Sequence, residues 1–300
     1  MTIYNNIGSN KRKTWLLMIF FILFFFGVSY VLGKSLGYGL SLAGIMLIIS
    51  GLMSFASYYY SDKIVLSMSG AKEVDKKSHR EFHDIVENLS IASGLPMPKI
   101  YVIQDPAPNA FATGRDPRHA AIAATTGILE KLSRSELEGV IGHELSHVKN
   151  YDTRLMGVVS ILAGSLAILA DFFLRSLWWG GNDDDRGRNG NGIFIVLGLV
   201  AAILAPIAAT LIQLAISRRR EYLADADGAL LTRYPEGLAR ALEKIADDRN
   251  ILKSASNATA HLYIENPFKV DTGRKTKSFL AGLFSTHPPL EERIRILRNM

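Results

Sequence analysis

The sequence His143-Glu144-Leu145-Ser146-His147 places two imidazoles four residues apart, with a carboxylate directly after the first. On an α-helix, residues i and i+4 lie on one face, about one turn apart. Both imidazoles can therefore bind one metal ion, and the Glu144 carboxylate lies near enough to take a proton from water beside that ion. The stretch predicts a metal site, provided that the segment is helical.

The flanking residues favour a helix. Ser133 and Glu136 have the spacing of a capping box at a helix start. Apolar residues then recur at helical spacing, at Leu137, Val140, Ile141, Leu145 and Val148. The H-E-x-x-H pattern on a helix is typical of zinc peptidases. The alternative is a surface helix that carries two histidines and a glutamate, since three specified residues make a short pattern.

A second charged stretch offers a third ligand. Catalytic zinc sites usually take three protein ligands and leave one position for water. The chain has no cysteine, so the third ligand must be histidine or a carboxylate. We predict Glu221, and Asp225 one turn later can accept a hydrogen bond from a ligand histidine. The alternative is a charged, solvated helix start after a membrane span.

Four segments together resemble the HtpX-type integral-membrane zinc metalloproteases, which are related to the CAAX prenyl proteases. In the family's order they are Asn109–Gly114 (NAFATG), His143–Asp152 (HELSHVKNYD), Glu221–Asp225 (EYLAD) and Thr286–Pro289 (THPP). The resemblance covers nearly the whole chain. It implies that His143, His147 and Glu221 bind one Zn²⁺ and that Glu144 is the general base. It also implies quality control of damaged membrane proteins in a bacterial or archaeal cell.

Composition indicates a membrane protein, because the mean hydropathy is +0.15 and the apolar runs are long. Four segments are long enough to cross a bilayer as helices, namely 14–32, 40–58, 155–174 and 193–216. The last two contain Asp171 and Gln213 near their ends, so the alternative for them is a hairpin that only partly enters the bilayer. A signal peptide is the alternative for the first segment. Its apolar run is longer than a usual signal-peptide core and no clear cleavage site follows it, so we favour a membrane span.

Basic residues set the predicted orientation, because Lys and Arg favour the cytosolic side of spans. Residues 11–13 precede the first span and residues 218–220 follow the fourth. Both termini and the zinc site are therefore expected on the cytosolic side of the cell membrane. The net charge of +6 is explained by this clustering, so nucleic-acid binding is not expected. The acidic residues Asp183–Asp185 lack the spacing of a calcium loop and are expected in an external loop.

The predicted fold class is mainly α with a small β component: four transmembrane helices plus a cytosolic α+β, gluzincin-like zinc metalloprotease domain. The predicted division is a cytosolic N-terminus (1–13), a transmembrane hairpin (14–58), a catalytic part with the H-E-x-x-H helix (59–154), a second hairpin (155–216) and a catalytic part with the third ligand (217–300). Within the catalytic parts we predict helices over Ser78–Ser93, after Pro235 and over Leu290–Leu297, a strand over Lys99–Ile103, and a hairpin of Asn109–Thr113 with Ala120–Thr125.

Two further features have a structural and a functional interpretation. Asn109, Ala110 and Phe111 form a candidate edge strand for an extended substrate, or a hairpin that only packs over the active helix. His287 is either a donor to the oxyanion, as in related proteases, or part of a rigid turn before the last helix. The remaining histidines, His79, His83, His119 and His261, lack ligand spacing.

The predicted function is that of a membrane-bound zinc endopeptidase acting on membrane-protein or unfolded polypeptide substrates. A CAAX-type prenyl protease is the nearest alternative, although that group carries more spans. A non-catalytic zinc-binding scaffold would be expected to lack Glu144 or a ligand. A channel or transporter would place ionisable residues deep within its spans, and here the middles are apolar. The oligomeric state is left open.

Overall fold

The computed structural model describes residues 3–35, 40–179, 200, 203, 207, 218–253, 259–264 and 288–300. The helices of this part of the chain are α1 (Ile3–Ser35), α2 (Leu40–Met68), α3 (Arg80–Ser93), α4 (Thr126–Lys131), α5 (Arg134–Lys149), α6 (Asp152–Trp179), α7 (Arg218–Thr232), α8 (Pro235–Asp247) and α9 (Leu290–Arg298). The strands are β1 (Lys72–Glu73), β2 (Lys99–Ile103), β3 (Ala110–Gly114) and β4 (Ala120–Thr125). Short 3₁₀ helices cover Pro117–His119 and Ala260–Leu262. The fold is mainly helical with a small sheet, as predicted.

Helices α1, α2 and α6 are long and apolar enough to cross a membrane, over Ile7–Tyr30, Ala43–Met68 and Asp152–Asp171. These overlap the first three predicted segments, although the second candidate span ends at Met68 and not at the predicted Tyr58. The predicted fourth segment, 193–216, lies almost wholly outside the described residues. Helix α6 packs its apolar side chains, including Leu155 and Leu162, against Phe21 of α1.

The four strands form one mixed sheet in the order β1-β2-β4-β3. Strands β3 and β4 pair antiparallel, which confirms the predicted hairpin, although β3 begins and ends one residue later than predicted. Gly114 ends β3 with φ +129°, and a Cβ there would lie 2.2 Å from the carbonyl oxygen of His119. Only glycine fits this turn. The parallel pairing of β2 with β4 was not predicted.

The sheet lies between helices α3, α5 and α8 on one face and the ends of the candidate membrane helices α2 and α6 on the other. On one face, Ala112 and Ile122 pack with apolar residues of α3, α5 and α8. On the other face, Phe111 packs with Val65 of α2 and Met156 of α6. The H-E-x-x-H helix is therefore connected to the membrane helices through one sheet.

Helix α5 begins at the predicted capping box and is buried along nearly its whole length. The carboxylate of Glu136 accepts a hydrogen bond from the Ser133 backbone N–H at 2.7 Å and forms an ion pair with Lys244 Nζ at 2.7 Å. The second contact joins α5 to α8. Burial alone would raise the pKa of Glu136, but the bonds from Lys244 and Ser133 outweigh it, so the pKa lies below its usual value.

We predict that Glu136→Gln lowers the free energy of unfolding by about 1–2 kcal/mol at pH 7, because it removes charge-assisted hydrogen bonds. Because the folded-state pKa is depressed, this stabilisation is present above the unfolded pKa of about 4.3 and is lost as pH falls through the folded value. Thermal unfolding of metal-free protein in detergent, at pH 7 and at about pH 3.5, measures it. Glu138→Gln, which breaks only a partly exposed pair with Arg134, is the matched control. An equal gap between wild type and Glu136→Gln at both pH values would contradict the prediction.

Candidate active site

Two helices bring the three predicted metal ligands together. The Nε2 atoms of His143 and His147 on α5 lie 3.2 Å apart. The carboxylate oxygens of Glu221 on α7 lie 3.7 Å from His143 Nε2 and 3.6 Å from His147 Nε2. All three side chains are buried. Ligands about 2.0–2.1 Å from a tetrahedral zinc ion lie about 3.3 Å from one another, so this trio fits such an ion.

Each of these imidazoles has a carboxylate at its second ring nitrogen. Asp225 Oδ1 lies 2.9 Å from His143 Nδ1, and Asp152 Oδ2 lies 3.0 Å from His147 Nδ1. A carboxylate there accepts a hydrogen bond from Nδ1–H, so the proton stays on Nδ1 and Nε2 keeps its lone pair for a metal. Sequence reasoning proposed Asp225 for such a contact but missed Asp152, although Asp152 closes the quoted HELSHVKNYD segment.

The centre also contains a buried arginine that sequence reasoning missed. Arg293 of α9 is fully buried and donates from Nε and Nη2 to the two oxygens of Asp225, at 2.8 and 2.6 Å. Its Nη1 lies 3.9 Å from Glu221 Oε2. Burial alone would raise the pKa of Asp225, but Arg293 outweighs it and lowers the pKa to about 2. Asp225 is therefore ionised as it holds His143.

The charges around the imidazoles favour a divalent cation. Four carboxylates and two guanidinium groups are buried here, belonging to Glu144, Asp152, Glu221, Asp225, Arg220 and Arg293. With all four carboxylates ionised and both imidazoles neutral, the state in which the trio would bind a metal, these groups sum to two negative charges, which a divalent cation neutralises. Burial alone would lower the pKa of His147, but the carboxylates, Asp152 first, raise it to about 9. The field that stabilises an imidazolium would equally stabilise a bound metal. Burial lowers the pKa of His143, even with Asp225 beside it.

Glu144 is buried between the ligand trio and the sheet. Burial raises the pKa of its carboxyl to about 7, against the opposing effects of the His147 charge and a hydrogen bond from the Ala112 backbone N–H. A nearby dication would favour the ionised form. The side chain thus lies where it can take and return a proton near neutral pH.

The predicted substrate edge is the outer edge of β3. The Asn109 carbonyl accepts a hydrogen bond from the Thr125 N–H, and the Asn109 N–H donates to the Thr125 side-chain Oγ1. The alternation of an antiparallel pair then turns the backbone of Phe111 toward β4. The backbone groups of Ala110 and Ala112 point the other way. The Ala110 carbonyl already accepts a hydrogen bond from Ile264 N–H at 3.0 Å. Ala112, beside Glu144, is therefore the centre of the candidate edge.

Two further histidines are not among the described residues of this centre. His287 lies outside the described residues. His83, with Asp84 and Glu87, forms a separate group on α3. Lys76 Nζ lies 2.9 Å from Asp84 and 2.7 Å from Glu87, so these carboxylates already have a cationic partner.

The chain is similar to known peptidases. The model of peptidase family M48 matches residues 76–300. A "Protease HtpX homolog" from Caldanaerobacter subterraneus subsp. tengcongensis is 46% identical over 303 residues, covering 100% of this chain and 98% of the relative. One from Tropheryma whipplei is 47% identical over 298 residues, covering 99% of this chain and 98% of the relative. The crystal structure of S. mikatae Ste24p is similar with a TM-score of 0.46 and 20% identity; the match covers 85% of this chain and 64% of that one.

We predict that Arg293→Met destabilises the metal-free protein by about 3–5 kcal/mol, because the buried Asp225 carboxylate loses its cationic partner. Adding Asp225→Asn should recover part of this loss, since it removes the unpaired charge. Thermal unfolding in detergent measures both effects. Arg295→Met is the matched control, because Arg295 is exposed on the same helix. An Arg293→Met protein as stable as this control would refute the role of Arg293 as the cationic partner of Asp225.

Proposed function

This chain belongs to peptidase family M48 and is a metal-dependent peptidase, and we propose that it is an endopeptidase using one Zn²⁺ held by His143, His147 and Glu221. The convergence of three buried side chains, whose candidate ligand atoms lie 3.2–3.7 Å apart, carries this proposal. The excess of negative charge supports it independently. Two nitrogens and one carboxylate are a donor set that zinc takes in hydrolytic sites.

The reaction follows from what the chain's residues do around that ion. When bound, zinc supplies Lewis acidity toward water and the scissile carbonyl. Glu144 takes a proton from the attacking water and returns it to the leaving amine. Ala112 N–H holds the Glu144 carboxylate in place. Asp225 and Asp152 hold the two imidazoles in the metal-binding tautomer.

His287 is proposed as a donor to the oxyanion that develops on the substrate. It directly precedes Pro288 and Pro289, which lead into α9. Arg293, only six residues later, lies against Asp225 and near Glu221. The short separation in sequence between His287 and Arg293 supports the proposal.

The substrate is proposed to bind as an extended strand along β3, next to Asn109, Ala110 and Phe111. Backbone pairing of this kind recognises a peptide with little demand on its sequence. The outward carbonyl of Ala112 would anchor the peptide, since the Ala112 N–H already holds Glu144 and the Ala110 carbonyl is already used by Ile264. Such pairing requires an unfolded stretch of chain. This supports unfolded polypeptides and damaged membrane proteins as substrates, and hence a role in quality control.

The membrane arrangement is proposed to comprise four spans and a gluzincin-like cytosolic domain, divided as in the sequence analysis. Three described helices are suited to crossing a membrane, and α7 begins at Arg218 directly after the apolar segment 193–216. Ligands on both α5 and α7 need these two helices on the same side of the membrane. Two spans between them, α6 and the segment 193–216, meet this need, which supports the four-span arrangement.

We predict that Glu144→Gln binds zinc as wild type does but loses nearly all peptide-bond hydrolysis, because the amide cannot accept the proton. Zinc content of purified protein and cleavage of a denatured polypeptide, with and without chelator, are the measurements. Glu221→Ala should instead lose the metal. Full activity of Glu144→Gln would remove the mechanism, and full zinc content of Glu221→Ala would remove the ligand assignment. A prenylated peptide assayed in parallel tests substrate class.

We predict that single cysteines at Arg12, Glu138 and Met300 react with an impermeant maleimide only after cells are opened. A cysteine at Asp184 should react in intact cells, because its loop is proposed to face outward. The chain has no native cysteine, so labelling is unambiguous. Activity of each variant is the control for folding. Labelling of Arg12→Cys and Met300→Cys from opposite sides would exclude the four-span arrangement.

A further inference from the structure

We infer that Asn10 of α1 is a positioning residue for the metal centre, acting through Asp152 on His147. This inference rests on the proposed function, because it takes His147 as a metal ligand. Asn10 is 142 positions from Asp152 along the sequence and outside residues 76–300, to which the family model matches. An element outside the matched domain therefore contributes to the centre.

The contacts of Asn10 are specific and complete. Its Nδ2 donates to Asp152 Oδ1 at 2.7 Å and to the Asn150 carbonyl at 3.0 Å. Its Oδ1 accepts from Arg220 Nη1 at 3.4 Å. The side chain is only 2% exposed. A side-chain amide is the group that can donate twice and accept at once in such a space.

Asp152 connects these contacts to the ligands. One oxygen, Oδ1, accepts from Asn10 and from Arg220 Nη1 at 3.2 Å, while Oδ2 faces His147 Nδ1 at 3.0 Å. Both oxygens are therefore engaged, which fixes the rotation of the carboxylate and with it the plane of the imidazole. Arg220 precedes the ligand Glu221 in α7. The network thus joins α1, α7 and the junction of α5 with α6 around one carboxylate.

The backbone beside this network is held in an uncommon conformation. Tyr151, between α5 and α6, has φ +60°, which is rare for a non-glycine residue and costs about 1 kcal/mol or more. Lys11 Nζ, next to Asn10, lies 4.3 Å from the Tyr151 ring centroid. Arg154 Cζ lies 4.8 Å from the same centroid. The start of α1 thus contacts the turn that presents Asp152.

A purely structural role for Asn10 would be to attach α1 to the catalytic part. The two roles differ in their expected effect on zinc affinity. A positioning residue changes zinc affinity through Asp152, so its effect disappears once Asp152 no longer orients His147. A structural anchor acts independently of Asp152, so the two effects on stability and affinity add.

The test is a double-mutant cycle on the full-length protein in detergent, with zinc affinity measured by competition against a chromogenic chelator. We expect Asn10→Leu, which removes the amide at similar volume, to weaken zinc binding about tenfold, at the low end of losses in outer ligand contacts. Asp152→Asn should weaken it at least as much, and the double variant no further. Lys13→Gln, at an exposed position on the same helix, should match wild type. If the leucine prevents folding, Asn10→Ala takes its place in the cycle.

A second readout is the rise in unfolding temperature on adding zinc, which reports binding to the folded state alone. This rise should shrink in the Asn10 variant beyond any loss of stability in the metal-free protein. Unchanged zinc affinity in a folded Asn10 variant, or a loss that multiplies with that of Asp152→Asn, overturns the inference. A wild-type protein that binds no zinc overturns the proposed function as well. A wild-type protein that binds zinc, together with an unaffected Asn10 variant, overturns only the inference about Asn10.

Discussion

The close approach of α5 and α7 is the constraint on which the centre depends. Gly142 and Gly228 face each other at the crossing, and a Cβ on Gly228 would lie 2.8 Å from the backbone nitrogen of His143. Real Cβ atoms do not approach backbone so closely, so any side chain there would separate the helices. Glu221 lies two turns before Gly228 on α7, and the imidazoles lie beside Gly142 on α5. A helix separation larger by an ångström would remove the third ligand from reach of the other two.

That close packing brings like charges together, and the rest of the centre compensates for them. Burying several carboxylates costs many kcal/mol unless each has a cationic or hydrogen-bonding partner. Arg293 from α9 neutralises Asp225, and Arg220 from α7 contacts Asp152. The remaining excess of negative charge is what a divalent cation needs. The excess negative charge therefore destabilises the folded protein when no metal is present. A bound cation removes this repulsion and so stabilises the fold.

Sequence reasoning recovered the features that are encoded locally. The helix spacing of His143 and His147, the capping box at Ser133 and the hairpin of β3 with β4 each depend on residues close together in the chain. The parallel pairing of β2 with β4 and the contacts of Asn10 and Arg293 span long separations with no local pattern. One signal was available for Arg293. It lies on the apolar face of α9, at helical spacing with Leu290 and Leu297, where a charged residue needs a buried partner.

The metal centre and the membrane helices are parts of one structure. Asp152, which orients His147, is also the first residue of α6, so the candidate span begins at the carboxylate that holds a ligand. Leu155, in the first turn of α6, already packs with Phe21 of α1 in an apolar cluster. The depth of α6 in the bilayer therefore sets the height of the proposed zinc site, and α1 reaches the same carboxylate through Asn10. The geometry of the candidate ligands and the start of the candidate span therefore depend on the same residues.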